Sequence, residues 1–238
     1  MLFSSQNLLL YLTRVFVILL VLPLHECAHA WMAKKLGDDT AMYQGRLTLN
    51  PFAHIDPVGG ILLLLTGFGW AKPVPVNPMR FNRKYSLRGG MALTAAAGPI
   101  SNLIAALVGM IAMRVYVMTD FYQEYVISSI ESEVVGVNPP EIIATFLMYF
   151  VSINIGLAVF NLIPVPPLDG SKVMFFLLGN KGVTVAEWFS KNAYIVNIAF
   201  YILLFSPILS RPLSWISDTI YTGMIYATNW IPMLFGAG

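Results

Sequence analysis

Leu24-His25-Glu26-Cys27-Ala28-His29-Ala30 is an HExxH pattern set inside an apolar run that extends from Leu8 to Ala33. On a helix, HExxH places two imidazoles on one face for a metal ion, with a carboxylate beside them. Ionisable groups at membrane depth are costly and mark functional positions. The run is also long enough to cross a hydrocarbon layer about 30 Å thick, which takes about 20 helical residues. The stretch therefore predicts a membrane helix that carries zinc-dependent hydrolytic chemistry.

Composition agrees with a membrane setting. Of 238 residues, 57% are hydrophobic and 11% charged, against about 25% charged in ordinary soluble domains. A net charge of +2, without a basic aromatic patch, excludes nucleic acid as a partner. One cysteine excludes an internal disulfide and any CxxC motif. That cysteine, Cys27, sits about 160–200° around the helix from the two histidines and reads as a small packing residue. The first apolar stretch lacks a basic leader and an A-x-A cleavage pattern, so it is expected to be a retained span.

About five transmembrane helices are predicted: Leu8–Ala33, Met91–Met118, Ile142–Ile163, Ala193–Leu209 and Leu213–Phe235. Ile61–Leu65 is apolar but too short to span, and is expected to be re-entrant or interfacial. Positive charge orients the chain. Lys34, Lys35, Arg46, Lys72, Arg80, Arg83, Lys84 and Arg88 follow the first span, and Lys172, Lys181 and Lys191 follow the third. The 119–140 loop instead has Asp120, Glu124, Glu131 and Glu133 and no Lys or Arg. The expectation is a multi-pass cell-membrane protein with its N-terminus outside and its C-terminus cytoplasmic. Arg14 and Arg114 would snorkel at the outer ends of their spans. No stretch reads as a separate soluble domain, so residues 1–238 form a single membrane domain, with a catalytic core over 8–180 and extra helices over 193–235.

His25 and His29 are four residues apart, about 40° around a helix, and can share one tetrahedral zinc. Glu26 is turned about 60° from His29, where it can reach a water at the ion without being a ligand. A catalytic zinc needs a third protein ligand and an open position. His54, Asp56, Glu141, Asp169 and Asp218 are the candidates, and depth separates them. The first span runs inward, placing the histidines just before Lys34. The third also runs inward, ending in Asn161-Leu162-Ile163-Pro164-Val165-Pro166-Pro167-Leu168-Asp169-Gly170 just before Lys172. Asp169 reaches the histidines' depth; Glu141 and Asp218 lie toward the outside. Pro166 and Pro167 stop the helix and free backbone groups. Such breaks are tolerated at membrane depth where they line a watery cavity, which a hydrolase requires.

HECAH at 25–29, GRLTLNP at 45–51, GWAKPVPVNP at 69–78, AGPISN at 97–102 and NLIPVPPLDG at 161–170 together resemble the site-2 protease family of intramembrane zinc metalloproteases. The resemblance covers about residues 8–180. It implies one Zn2+ per chain held by His25, His29 and Asp169, with Glu26 as general base and Asn161 in the active site. A helix–helix hydrogen bond is the plainer role for Asn161, and Asn102 reads as a structural hydrogen bond after the small run Ala95-Ala96-Ala97-Gly98. The 45–78 segment looks like the family's membrane-re-entrant β-hairpin. Arg46-Leu47-Thr48-Leu49 alternates as a strand would, and the prolines confine Lys72–Val76 to an edge. Lys72, Val74 and Val76 could then hold an extended substrate by strand addition; His54 is a further candidate substrate contact, against a polar turn role. Longer relatives carry a preceding span and PDZ or CBS domains, which are not expected here.

The resulting expectation is an α-helical polytopic endopeptidase that hydrolyses a peptide bond in or near the transmembrane segment of a membrane-protein substrate, as in regulated intramembrane proteolysis. A regulatory membrane partner is a further expectation. A divalent-metal transporter is one alternative, because intramembrane His and Asp also mark ion paths, but no inverted repeat is evident. A catalytically silent membrane adaptor is the other, and the intact Glu26 argues against it.

Overall fold

Three helices form the frame. In the computed structural model, which describes residues 5–66, 71–132, 138–204 and 206–234, α1 (Ser5–Lys35), α4 (Leu87–Tyr116) and α6 (Pro139–Asn161) contain the stretches long and apolar enough to cross a membrane. Between α1 and α4 lie the short α2 (Thr40–Tyr43) and α3 (Pro57–Thr66), and α5 (Asp120–Ser132) precedes α6. After α6 come α7 (Asp169–Leu177), α8 (Asn180–Lys191), α9 (Ala193–Leu204), α10 (Pro207–Ala227) and α11 (Ile231–Leu234).

The starts of α4 and α6 are written locally. Ser86 caps α4 by accepting from the Gly89 amide at 3.0 Å, and Pro139 at the first turn of α6 gives up a donor that has no helical partner there. Small residues let the three helices pack closely. Gly89, Gly90, Ala92, Ala95, Ala97, Gly98, Ala106 and Gly109 are all buried on α4, the composition by which membrane helices approach one another. A Cβ on Gly109 would sit 2.8 Å from Phe150 Cδ1 on α6. Ala106, Met110, Val151, Ile155 and Val159 form the buried seam between α4 and α6.

Contacts give the directions. His25 meets Asn102 and His29 meets Thr94, so α1 and α4 are antiparallel. Asn102 meets Asn154 and Tyr116 meets the Pro140 carbonyl, so α4 and α6 are antiparallel too. Arg14 donates to Tyr149 Oη at 3.0 Å and stacks over its ring, which places the early part of α1 beside the early part of α6.

The C-terminal region departs from expectation. Instead of two further spans there is a pair, α9 and α10, bent by 68°, that is apolar and long enough only when taken together. Ser206-Pro207 starts a new helix there, and Arg211, Pro212 and Asp218 dilute the apolar character of α10. Where five spans were expected, the described residues hold three helices long and apolar enough to cross a membrane, or four spans if the bent pair counts as one. Phe200 of α9 meets Phe160 near the end of α6, ring centroids 6.2 Å apart, while Arg114 at the end of α4 donates to the Ile225 carbonyl at 3.3 Å. The end of α10 thus lies at the same end of the bundle as the start of α1, where two separate spans would have returned it to the opposite end.

The expected re-entrant β-hairpin is not supported by the described residues of the 45–78 segment. Among the described residues there are no strands, only an isolated antiparallel bridge between Ile55 and Ala71; Gly69 and Trp70 of the 69–78 motif, and Glu133 of the acidic loop, lie outside the described residues. The apolar middle of the segment folds as α3, because Asp56 Oδ1 accepts from the Val58 and Gly59 amides at 3.0 and 2.9 Å and Pro57 opens the helix. Pro73, Pro75 and Pro78 remove the donors that a strand ladder would need. Residues 72–77 are an extended tether instead. The Lys72 amide donates to the His54 carbonyl at 2.7 Å, the Arg46 guanidinium donates to the Lys72 carbonyl, and the Asn77 amide donates to Asp38 Oδ2 at 2.6 Å.

Candidate metal centre

Three side-chain atoms meet where α1, α4 and the start of α7 come together. His25 Nε2 and His29 Nε2 are 3.0 Å apart, and Asp169 Oδ2 is 3.3 Å from the first and 3.1 Å from the second. All three residues are buried. The helical spacing of four stacks the imidazoles. Asp169 arrives because α6 ends at Asn161 and the proline-rich turn folds back, with Gly170 packed so tightly on the Leu162 carbonyl that a side chain would collide.

The other ring nitrogens fix what these atoms are. His29 Nδ1 lies 2.7 Å from the Thr94 carbonyl oxygen, which can only accept. His25 Nδ1 lies 2.6 Å from Asn102 Oδ1, and the Asn102 amide nitrogen is committed to Asn154 Oδ1 at 2.8 Å. Both Nδ1 atoms therefore donate, and in the neutral rings both Nε2 atoms carry lone pairs. Two such lone pairs and a carboxylate oxygen facing one another repel unless a cation lies among them. Two imidazole nitrogens and one carboxylate oxygen suit zinc, and ring orientation by outer partners is typical of its sites. The residues fit the group.

Asp169 is divided between two duties, since Lys172 Nζ approaches its other oxygen at 3.2 Å. Gly98 forms the wall on the α4 side: a Cβ there would lie 2.5 Å from His29 Nε2 and 2.6 Å from His25 Cε1.

A cavity of about 280 Å³ opens beside the cluster. Glu26 and Asn161 line it, as do Pro73, Val74 and Val76 of the tether. The Asn161 amide donates to the Leu157 carbonyl one turn back, at 3.0 Å. Lys72 and His54 are not among its lining residues. His54 instead faces a separate cavity. Cys27 lines an apolar groove between α1 and α4, away from the cluster.

Thr94 and Asn154 are positions around the cluster that sequence reasoning did not single out, while Gly98 reads only as part of a packing run and Lys172 only as a boundary charge. Asn154 was detectable as an amide in the middle of an apolar span; Thr94 contributes a backbone carbonyl, which leaves no side-chain signal. The fully buried relay from His25 through Asn102 to Asn154 predicts that Asn102→Leu lowers zinc affinity about 10–100-fold, the usual cost of losing an outer partner. Competition against a chelator of known affinity measures this. Unchanged affinity would reduce the contact to packing.

Comparison with known proteins gives a relative in Bacillus subtilis (strain 168), named "Putative zinc metalloprotease YwhC", which is 41% identical over 160 residues; the match spans 67% of this chain and 66% of that protein. No solved structure matches. The model of peptidase family M50 matches residues 13–204. That match runs through both halves of the metal centre, from the histidines of α1 past Asp169, and the chain belongs to peptidase family M50.

Proposed function

We propose that the protein is an intramembrane zinc endopeptidase of the site-2 type, which hydrolyses a peptide bond in or near the transmembrane segment of a membrane-protein substrate. The observation that carries this reading is the convergence of His25, His29 and Asp169 beside a free-standing carboxylate, Glu26, in a cavity framed by helices of membrane-spanning length. Bound by those three residues, zinc supplies Lewis acidity toward a carbonyl oxygen and toward water.

The chain's own residues divide the remaining work. Glu26, adjacent to His25 and facing the cavity, takes the proton from the attacking water and returns it to the leaving amine. Asn161 can turn its amide from the Leu157 carbonyl toward the developing oxyanion, a contact typically worth a few kcal/mol. Val74 and Val76 bring the extended tether alongside the metal residues, a surface against which an unwound substrate segment can lie. The Lys72 backbone is committed to holding that tether in place, so its contribution to substrate is indirect.

The cluster of Lys34, Lys35, Arg80, Arg83, Lys84 and Arg88 between α1 and α4 favours a cytoplasmic location for that side. The metal centre then lies toward the cytoplasm, with the start of α1 and the end of α10 outside. Release of a membrane-held regulator, in concert with a regulatory membrane partner, is the physiological setting that suits such a site.

Purified protein is expected to hold one zinc per chain and to cut a model transmembrane peptide. Chelation should abolish cutting and added zinc should restore it. Zinc-loaded protein that cuts no such peptide, yet carries divalent metal into sealed vesicles, would overturn the reading in favour of a transporter.

A further inference from the structure

His25 and His29 turn the same ring nitrogen toward the metal position, but they are held to it in different ways. His29 Nδ1 faces the Thr94 backbone carbonyl directly, and a carbonyl oxygen can only accept. His25 Nδ1 faces Asn102 Oδ1 at 2.6 Å, one end of an amide that presents an acceptor or a donor according to how it is turned. Turned the other way, the Asn102 amide nitrogen would donate to His25 Nδ1. The ring proton would then sit on Nε2, where a metal needs a lone pair. The sense of Asn102 therefore decides whether His25 can be a ligand, and Asn102 does not fix that sense by itself.

The fixed point lies on α6. Asn102 Nδ2 donates to Asn154 Oδ1 at 2.8 Å, and Asn154 Nδ2 donates to the Phe150 carbonyl, also at 2.8 Å. The Phe150 oxygen belongs to the helix backbone and can only accept. It draws the amide nitrogen of Asn154 toward itself, which turns the Asn154 oxygen to Asn102 and the Asn102 oxygen to His25. Reversing Asn102 alone sets two oxygens face to face at Asn154. Reversing both amides sets two oxygens face to face at Phe150. Asn102 and Asn154 are both 0% exposed and His25 is 4% exposed, so either mismatch carries the full cost of buried polar groups left unpaired.

We propose that Asn154 is a positioning residue of the metal centre: acting through Asn102, it assigns the His25 ring proton to Nδ1 and leaves Nε2 free for zinc, taking its own sense from the Phe150 carbonyl. This deepens the reading of the site as the zinc centre of an endopeptidase and rests on it. Asn154 stands two hydrogen bonds away from the ring that it sets. A bridge that merely joined α4 to α6 would need the bulk of this amide but not the direction of its bonds. Direction is the property that separates the two roles.

The test is zinc affinity of the protein in lipid nanodiscs, read by competition against a chelator of known affinity. Asn154→Leu frees Asn102 to turn and should weaken zinc binding about tenfold, the lower end of what losing an outer partner costs. Asn154→Asp keeps an acceptor toward Asn102 and should stay within about twofold of the unaltered protein, the scatter of independent sites. In an Asn102→Asp background the carboxylate accepts from His25 whichever way it is turned, so there Asn154→Leu should cost nothing. That double variant leaves no amide donor stranded at position 102, and it covers the case in which Asn154→Leu alone fails to fold. Unaltered affinity in Asn154→Leu, an equal loss in Asn154→Asp, or a loss that persists in the Asn102→Asp background overturns the proposal. Zinc binding by the unaltered protein separates the two readings. Binding that is indifferent to position 154 defeats the relay and keeps the metal centre; an unaltered protein that holds no zinc defeats both.

Discussion

Replacing Glu26 by Gln is expected to leave zinc in place and to lower peptide cleavage by at least about a thousandfold. General-base catalysis contributes typically 10²–10⁴-fold, and on the proposed mechanism the same carboxylate would serve both water and leaving amine, which points to the upper part of that range. The substitution keeps shape and removes only the ability to hold a proton. Glu26 is not part of the cluster of three ligand atoms, so metal content separates the chemical step from site assembly. Two measurements on one preparation suffice: zinc per chain and the initial rate on a model transmembrane peptide. A rate equal to that of the unaltered protein would remove Glu26 from the mechanism and revive the silent-adaptor or transporter alternatives.

Asp169→Ala is expected to weaken zinc binding by more than about 100-fold, beyond the loss typical of an outer partner. The reasoning is geometric. Its Oδ2 would supply the third donor to a bound ion and the only formal negative charge among the three clustered groups. Two histidines four residues apart remain, a weaker pair that is open on the α7 side. Lys172 loses its partner but is 39% exposed and can turn to water, so collapse of the fold is not expected to mask the effect. Calorimetric titration with zinc reads the change, and undiminished affinity would place the third ligand elsewhere.

The metal cluster was legible in sequence because each part leaves a distinct trace. HExxH places two candidate ligands and a neighbouring carboxylate through helical geometry, and the expected inward run of the third span pointed to Asp169 as the distant group that joins them. The three long helices were legible for the same reason: length and apolarity are local quantities. What holds the cluster was less visible. The Asn102–Asn154 contact exists only because α4 and α6 cross where they do, and the Thr94 carbonyl and the Gly98 wall depend on backbone position rather than side-chain type. The 45–78 segment misled because alternation at Arg46–Leu49 outweighed a stronger local signal, Asp56-Pro57, which starts a helix. At the C-terminus, two apolar stretches were counted as two spans, although Ser206-Pro207 and the polar positions of α10 leave only one bent pair.

The tether beside the metal centre has a consequence for how a peptide can lie along it. Its Lys72 amide is already spent on the His54 carbonyl, and Pro73 and Pro75 have no amide hydrogen to offer. Among the described residues, uncommitted donors on this stretch therefore recur at Val74 and Val76, every second residue. A peptide displaced by one residue would find its carbonyls opposite prolines and its side chains inverted, whereas a displacement of two restores both. On the proposed reading the tether would act as a ratchet with a two-residue tooth, and the bonds a peptide brought to the metal centre would differ in parity rather than forming a continuous series.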